Sequence, residues 1–151
     1  MKSTHILLGA LALVLPLVPS ASHAGLSVGA AQTFIHASDT HAVILRYDDR
    51  DYHYGAQAMA WDGSEGSTGA VLADYNLLRS ERFGLNLGLA YIMDKTSING
   101  TNLNFSIRGA VGITRHWEAH VSHFSNGQRI LGWEDGKPNI GWNFLGVLYR
   151  F

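Results

Sequence analysis

Apolar and polar residues alternate along most of the chain beyond residue 24, as they do in a β-strand with two unlike faces. The alternation is clearest in residues 83–91 and 103–113, where odd positions are mostly large and apolar and even positions are mostly small or polar. No segment sustains the period of about 3.6 residues that marks an amphipathic helix. The pattern therefore predicts an all-β chain.

Turns rich in Gly, Ser and Asp divide this part of the chain into eight strands. The predicted strands are residues 25–35, 40–47, 53–61, 69–77, 83–91, 103–113, 115–125 and 141–151. Most have about 9 to 11 residues, the length with which a tilted strand crosses a bilayer. We interpret them as one antiparallel barrel, because eight strands is the smallest common size of bacterial outer-membrane barrels.

The two faces of the strands indicate which side meets lipid. One face is large and apolar, with aromatic residues near the strand ends, and the other is small and polar, with single charges such as Arg108 and Glu118 that we expect to pair inside the barrel. A soluble barrel that binds a small ligand is the alternative, but it would hold its large apolar face inside. We predict an eight-stranded antiparallel transmembrane β-barrel of the outer membrane, closed so that no edge is unpaired in lipid.

Other clusters of polar and aromatic residues have structural interpretations. Residues 46–51 carry three Asp and two Arg; they could bind a divalent cation, but a solvated turn is the simpler interpretation. His116, Glu118 and His120 share the inner face, and because a structural metal site needs about four ligands we favour an internal polar network. Three tryptophans are predicted as anchors at the membrane interface, and the last two could also line an acyl groove: Trp61, Trp133 and Trp142.

The first 24 residues have the features of a secretory signal peptide. Lys2 precedes an apolar run at residues 6–18, and small residues occupy positions 22 and 24. The run is shorter than the roughly 20 residues of a spanning helix, and Pro16 interrupts it. We predict cleavage after Ala24, export to the outer membrane, and a barrel formed by residues 25–151.

Composition narrows the chemistry. The net charge is -1 and charged residues make up 15% of the chain, so no strongly basic surface indicates a nucleic-acid partner. The chain has no cysteine, which excludes disulfides, thiolate metal ligands and a cysteine nucleophile. We expect neither a metal nor a cofactor.

The last two predicted strands bring catalytic-type side chains to one end of the barrel. On their apolar, outward face, His123, Ser125 and Asn143 lie where the strands meet the loop at residues 126–140. A histidine can activate a serine hydroxyl, provided that a third group orients its ring. Asn126 and backbone N–H groups beside it could bind an oxyanion. On this pattern alone, ordinary polar residues at a strand end are the simpler interpretation.

The residues around this cluster resemble a known enzyme family. The segment His123-Phe124-Ser125-Asn126 resembles the H-[FY]-S-N motif of the lipid A 3-O-deacylases, the PagL family of outer-membrane esterases. Residues 138–143 (PNIGWN) resemble the P-N-x-G-x-[E/N] stretch with which the last strand of that family begins. The resemblance is specific from His123 onward, and over the rest of the chain it is architectural.

The resemblance implies an eight-stranded barrel that removes the ester-linked acyl chain at position 3 of lipid A, with lipopolysaccharide as the substrate and outer-membrane lipids around it. It implies that Ser125 is the nucleophile, His123 the base and Asn126 an oxyanion donor. Asn143 stands at the acid position, where the best-known members have glutamate; it can orient a histidine but adds no charge. Glu134, or the aspartate after it, is the alternative acid.

The alternative function is that of a small outer-membrane barrel without enzymatic activity, structural or interaction-mediating, that retains the motif. Residue 143 separates the two hypotheses, together with whatever the loop at residues 126–140 contributes to the site.

Overall fold

The computed structural model describes residues 25–35, 39–49, 51, 53–63, 66–80, 82–96, 98–126 and 141–151. They form eight antiparallel strands, each hydrogen-bonded to its neighbours in sequence, and the last strand pairs with the first to close a barrel. The strands are β1 (Gly25–Thr33), β2 (His41–Asp48), β3 (Tyr54–Asp62), β4 (Thr68–Arg79), β5 (Phe83–Ile92), β6 (Leu103–Gly112), β7 (Trp117–Ser125) and β8 (Trp142–Arg150).

The prediction of an all-β, eight-stranded antiparallel barrel is thereby confirmed, and the strands differ from the predicted segments only at their ends. β4 runs past the predicted end at Leu77, because the register shifts between Asn76 and Leu78 and this irregularity breaks the alternation that the prediction used. The described part of the chain includes no helix that could span a membrane. The predicted signal peptide, residues 1–24, lies outside the described residues.

Two rims result from the even number of strands. The terminal rim holds the start of β1, the end of β8 and the β2–β3, β4–β5 and β6–β7 turns. The distal rim holds the other four connections, including the one from β7 to β8. The predicted site residues on β7 and β8 belong to the distal rim.

The outer face of the wall is apolar, as the alternation predicted. Leu89 on β5, Phe105 on β6 and Leu145 on β8 are each half exposed or more. Further exposed large apolar side chains on the strands include Tyr47, Val71, Tyr75, Leu87, Tyr91, Leu103, Ile107, Val111, Val121 and Val147. An apolar surface of this extent on a monomer marks an interaction with lipid or protein.

The distal half of the barrel interior is an aromatic core. Trp61 of β3 packs edge-on against Trp142 and Phe144 of β8, with ring centroids 5.4 Å apart in both pairs, and Phe124 of β7 adjoins Phe144. The prediction that Trp61 and Trp142 are interfacial anchors was wrong, since they are 0% and 1% exposed. Both occupy positions whose neighbours two residues away also point inward, and the distal interior is therefore largely aromatic where we expected small and polar residues. Trp133 lies outside the described residues.

The terminal half of the interior is a network of charges. Arg46 of β2 donates to both oxygens of Asp74, at 2.7 and 2.9 Å, and to Asp48 at 2.6 Å. The expected Arg108–Glu118 pair is present, and Arg150 also contacts Glu118, at 3.2 Å.

Two predictions about clusters are resolved here. Arg46 and Asp48 are 1% and 8% exposed, so the solvated-turn interpretation was wrong for them: residues two apart on β2 both point inward and find partners there. Within the described residues, no group of three His, Asp or Glu side chains is placed to hold a metal ion. Of the three residues expected to form an internal polar network, Glu118 pairs with Arg108 and Arg150. His120 also points inward, but its ring nitrogens have no hydrogen-bond partner among the described residues.

We expect Asp74→Ala to destabilise the barrel by about 3 kcal/mol, because it leaves the buried Arg46 guanidinium with one carboxylate partner. Urea-induced unfolding of the refolded protein measures the change in free energy. The exposed Asp51 provides the control, since Asp51→Ala should alter stability by no more than about 0.5 kcal/mol. Equal effects of the two substitutions would contradict a structural role for the network.

Candidate active site

The register between β7 and β8 brings two of the predicted site residues face to face. His123 and Asn143 are cross-strand partners, and both project from the outer face, where they are partly buried. Ser125 lies two residues beyond His123 on the same face, roughly 7 Å along the strand, and pairs with Phe105 of β6. The three side chains therefore share one outward patch at the distal rim, as the alternation predicted.

A hydrogen bond joins the histidine to the residue at the predicted acid position. The Nδ1 atom of His123 lies 2.8 Å from Oδ1 of Asn143. The Nδ2 atom of Asn143 donates to the carbonyl oxygen of Gly141, at 3.3 Å. If the amide were rotated by 180°, Oδ1 would face the Gly141 carbonyl, and two acceptor oxygens would oppose each other. The amide oxygen therefore faces His123, and Nδ1 of His123 carries the proton that it accepts. The Nε2 atom is then the basic nitrogen of the ring.

Gly141 holds this arrangement in place. Its φ of 64° lies in the left-handed region, and its N–H donates to the carbonyl of Ile98 in the β5–β6 connection, at 3.2 Å. A Cβ atom at this position would stand 2.7 Å from Cε1 of His123. Only glycine therefore allows both the turn into β8 and the approach of the imidazole.

Sequence reasoning missed Gly141 and Ile98 as positioning residues. A glycine immediately before an apolar strand is a recognisable signal for a special backbone conformation. The contribution of Ile98 could not be found in this way, because its backbone carbonyl meets Gly141 from 43 positions earlier in the chain and any residue type would supply it.

The remaining predicted site residues divide into those that the structure places and those that it does not. Asn126 follows β7 directly and is 9% exposed, and both it and Ser125 take part in polar or electrostatic contacts. Glu134 and Asp135 fall within 127–140, outside the described residues, so the alternative acid is not placed.

The surroundings of the patch are apolar. Ile107 stands opposite His123 across the β6–β7 ladder, and Leu145 follows Asn143 on the outer face of β8. These side chains are 42% and 53% exposed, and Phe105 beside Ser125 is 55% exposed. A serine, a histidine and an amide are thus set into a surface that would otherwise suit lipid tails.

Comparison of the chain with protein-family models, with curated proteins and with solved structures found no match.

We expect Nδ1 of His123 to be the protonated ring nitrogen at neutral pH, because Asn143 presents an acceptor to it. Long-range proton–nitrogen correlation spectra of the histidine-labelled protein report the tautomer, and His123→Gln assigns the signal. Replacing the amide by an apolar group in Asn143→Leu should return the ring to the mixture of a free imidazole.

The exposed His41 gives the reference signal within the same spectra and should be unchanged by Asn143→Leu. A proton held mainly on Nε2 in the wild-type protein would contradict the assigned orientation of the Asn143 amide.

Proposed function

We propose that this protein is an outer-membrane esterase that hydrolyses the 3-O-linked acyl chain of lipid A. The observation that carries the proposal is the hydrogen-bonded His123–Asn143 pair with Ser125 on the same outward, apolar face of the barrel. The choice of lipid A as the substrate rests on the resemblance of the motifs around these residues to the lipid A 3-O-deacylases.

The wall of the barrel supports a location in a membrane. Leu, Ile, Val and aromatic side chains cover its outer face, which is the arrangement of a transmembrane barrel. Aromatic rings occupy one half of the interior and paired charges line the other, so the barrel has a core without the large apolar side chains of the outer face. The terminal rim then faces the periplasm and the distal rim, with the site, faces the cell exterior.

A site on the outer wall suits a substrate that is itself a membrane lipid. Lipopolysaccharide occupies the outer leaflet, and its ester bonds lie at the boundary between sugar and acyl chains. Ser125 and His123 lie at the distal end of the apolar wall. In the proposed orientation this is the depth in the membrane at which the ester bonds of lipopolysaccharide lie. The substrate reaches them by lateral diffusion and does not have to leave the bilayer.

The reaction follows from the roles of the side chains. Nε2 of His123 takes the proton of the Ser125 hydroxyl as its oxygen attacks the ester carbonyl, and the carbonyl oxygen becomes an oxyanion near Asn126. Collapse of this intermediate expels the sugar hydroxyl, which receives the proton from His123, and leaves an acyl-serine. Water, activated by the same histidine, then releases the fatty acid and restores the hydroxyl of Ser125.

An amide at the acid position changes the energetics and keeps the geometry. Asn143 holds the tautomer in which Nε2 is basic, because its own NH₂ group is engaged by the Gly141 carbonyl. It adds no negative charge to stabilise the imidazolium that forms in the transition state. We therefore expect catalysis that is slower than with a carboxylate and still dependent on His123.

Mass spectrometry of lipid A from cells expressing the protein tests the proposal. Wild type should remove one 3-hydroxyacyl group, and Ser125→Ala and His123→Ala should leave lipid A intact, because the nucleophile or its base is missing. Ser122→Ala is the matched control for the serine, since Ser122 lies on the same strand and points into the barrel.

All variants have to be recovered in the outer-membrane fraction in comparable amounts. Unmodified lipid A with the wild-type protein and all its variants would reject the esterase and leave the non-enzymatic barrel. Deacylation that persists in Ser125→Ala would reject the assigned nucleophile.

A second experiment separates the two candidates for the acid position. If Asn143 orients His123, Asn143→Glu should preserve or raise deacylation, because a carboxylate adds charge stabilisation at the same place. Glu134→Ala should then have little effect. Loss of activity in both Asn143→Glu and Glu134→Ala would assign the acid position to Glu134.

A further inference from the structure

A cavity of about 260 Å³ opens at the terminal rim, at the opposite end of the barrel from Ser125. Its floor is the charge network of the interior, and its mouth is formed by the β4–β5 and β6–β7 turns. Six arginines line it, three from the floor and three from the mouth: Arg46, Arg108, Arg150, Arg79, Arg82 and Arg115.

The floor of the cavity is balanced in charge. Arg46 pairs with Asp48 and Asp74, while Arg108 and Arg150 share the single carboxylate of Glu118. Three arginines therefore meet three carboxylates. Arg108 belongs to the buried part of this floor, since its side chain is 7% exposed and its terminal nitrogens contact Asn86 and Glu118.

Among the described residues at the mouth of the cavity, positive side chains outnumber negative ones. Arg79, Arg82 and Arg115 face it, and no described carboxylate other than those of the floor lines the cavity. The Arg82 guanidinium has no partner within the described chain, and Arg115 uses only its Nε atom, which donates to Nε2 of His116 at 3.1 Å. The other ring nitrogen of His116 contacts the carbonyl of Arg150, so this histidine is not an anion partner.

We propose that this mouth is a binding site for a phosphate group. A guanidinium group can donate two parallel hydrogen bonds to a carboxylate or to a phosphate. Here the arginines come from two turns on different sides of the mouth, which suits the three or four oxygens of a tetrahedral phosphate better than the two oxygens of a planar carboxylate. The volume admits a phosphate and a small organic part and is too small for a large ligand. The group comes either from a soluble phosphate compound or from a phospholipid headgroup at this rim.

The site is independent of the esterase, because it lies at the other rim and shares none of its residues. Phosphate binding at this rim is therefore expected whether or not Ser125 is a nucleophile.

Thermal unfolding of the refolded protein in a non-ionic detergent tests the proposal, with inorganic phosphate titrated against chloride at constant ionic strength. A ligand that binds only the folded barrel raises the melting temperature, and the rise continues with the logarithm of the phosphate concentration once this exceeds Kd. In the double variant Arg82→Gln/Arg115→Gln, the apparent affinity should fall by at least about tenfold, because charge-assisted hydrogen bonds are lost. Lys95→Gln, at the exposed distal rim, removes a cation elsewhere and should bind as wild type does.

Nanodiscs distinguish the two sources of phosphate. Stabilisation by inorganic phosphate in discs of phosphatidylcholine, weakened in the double variant, indicates a soluble ligand. Stabilisation that appears only when phosphatidylglycerol is added, and that the double variant lacks, indicates a headgroup. No response to either probe, or an equal response in wild type and the double variant, overturns the proposal; circular dichroism checks that the double variant is folded.

Discussion

The packing of aromatic rings inside the distal half of the barrel fixes the orientation of the last strand. Trp142 and Phe144 point inward and interlock with Trp61 across the lumen, at ring separations of 5.4 Å. Since side chains alternate along a strand, Asn143 between them has to point outward. A shift of the β8 register by one residue would bury the amide and expose the two large rings. The free energy lost with the aromatic core therefore disfavours any register that moves Asn143 away from His123.

The two halves of the lumen are occupied by different kinds of side chain. A narrow barrel has to be filled, and large rings do this near the distal rim while ion pairs do it near the terminal rim. Rings give a rigid support on the side where His123 and Asn143 must be held. Charged side chains with long stems leave room for a cavity on the other side, which is where one is found.

Orientation of the Asn143 amide is decided by backbone and not by another side chain. The carbonyl of Gly141 engages the NH₂ group, and the left-handed conformation of that glycine is held in turn by Ile98 on a separate connection. Three links thus lie between the β5–β6 connection and the imidazole of His123. An amide fixed in this way can take over the orienting role of a carboxylate, although it lacks the charge.

The alternation of residues by itself determined the all-β class, the eight strands and the outward direction of His123, Ser125 and Asn143, because strand periodicity acts over a few neighbouring residues. The antiparallel closed barrel was predicted from the number and length of the strands, and the structure has it. It could not place Trp61 and Trp142 inside, since a tryptophan fits both a membrane interface and a core, and only the pairing of distant strands decides between them. The pairing of Arg46 with Asp74 and the contact of Ile98 with Gly141 were likewise decided by the tertiary structure alone, because the barrel brings together groups that no local pattern relates.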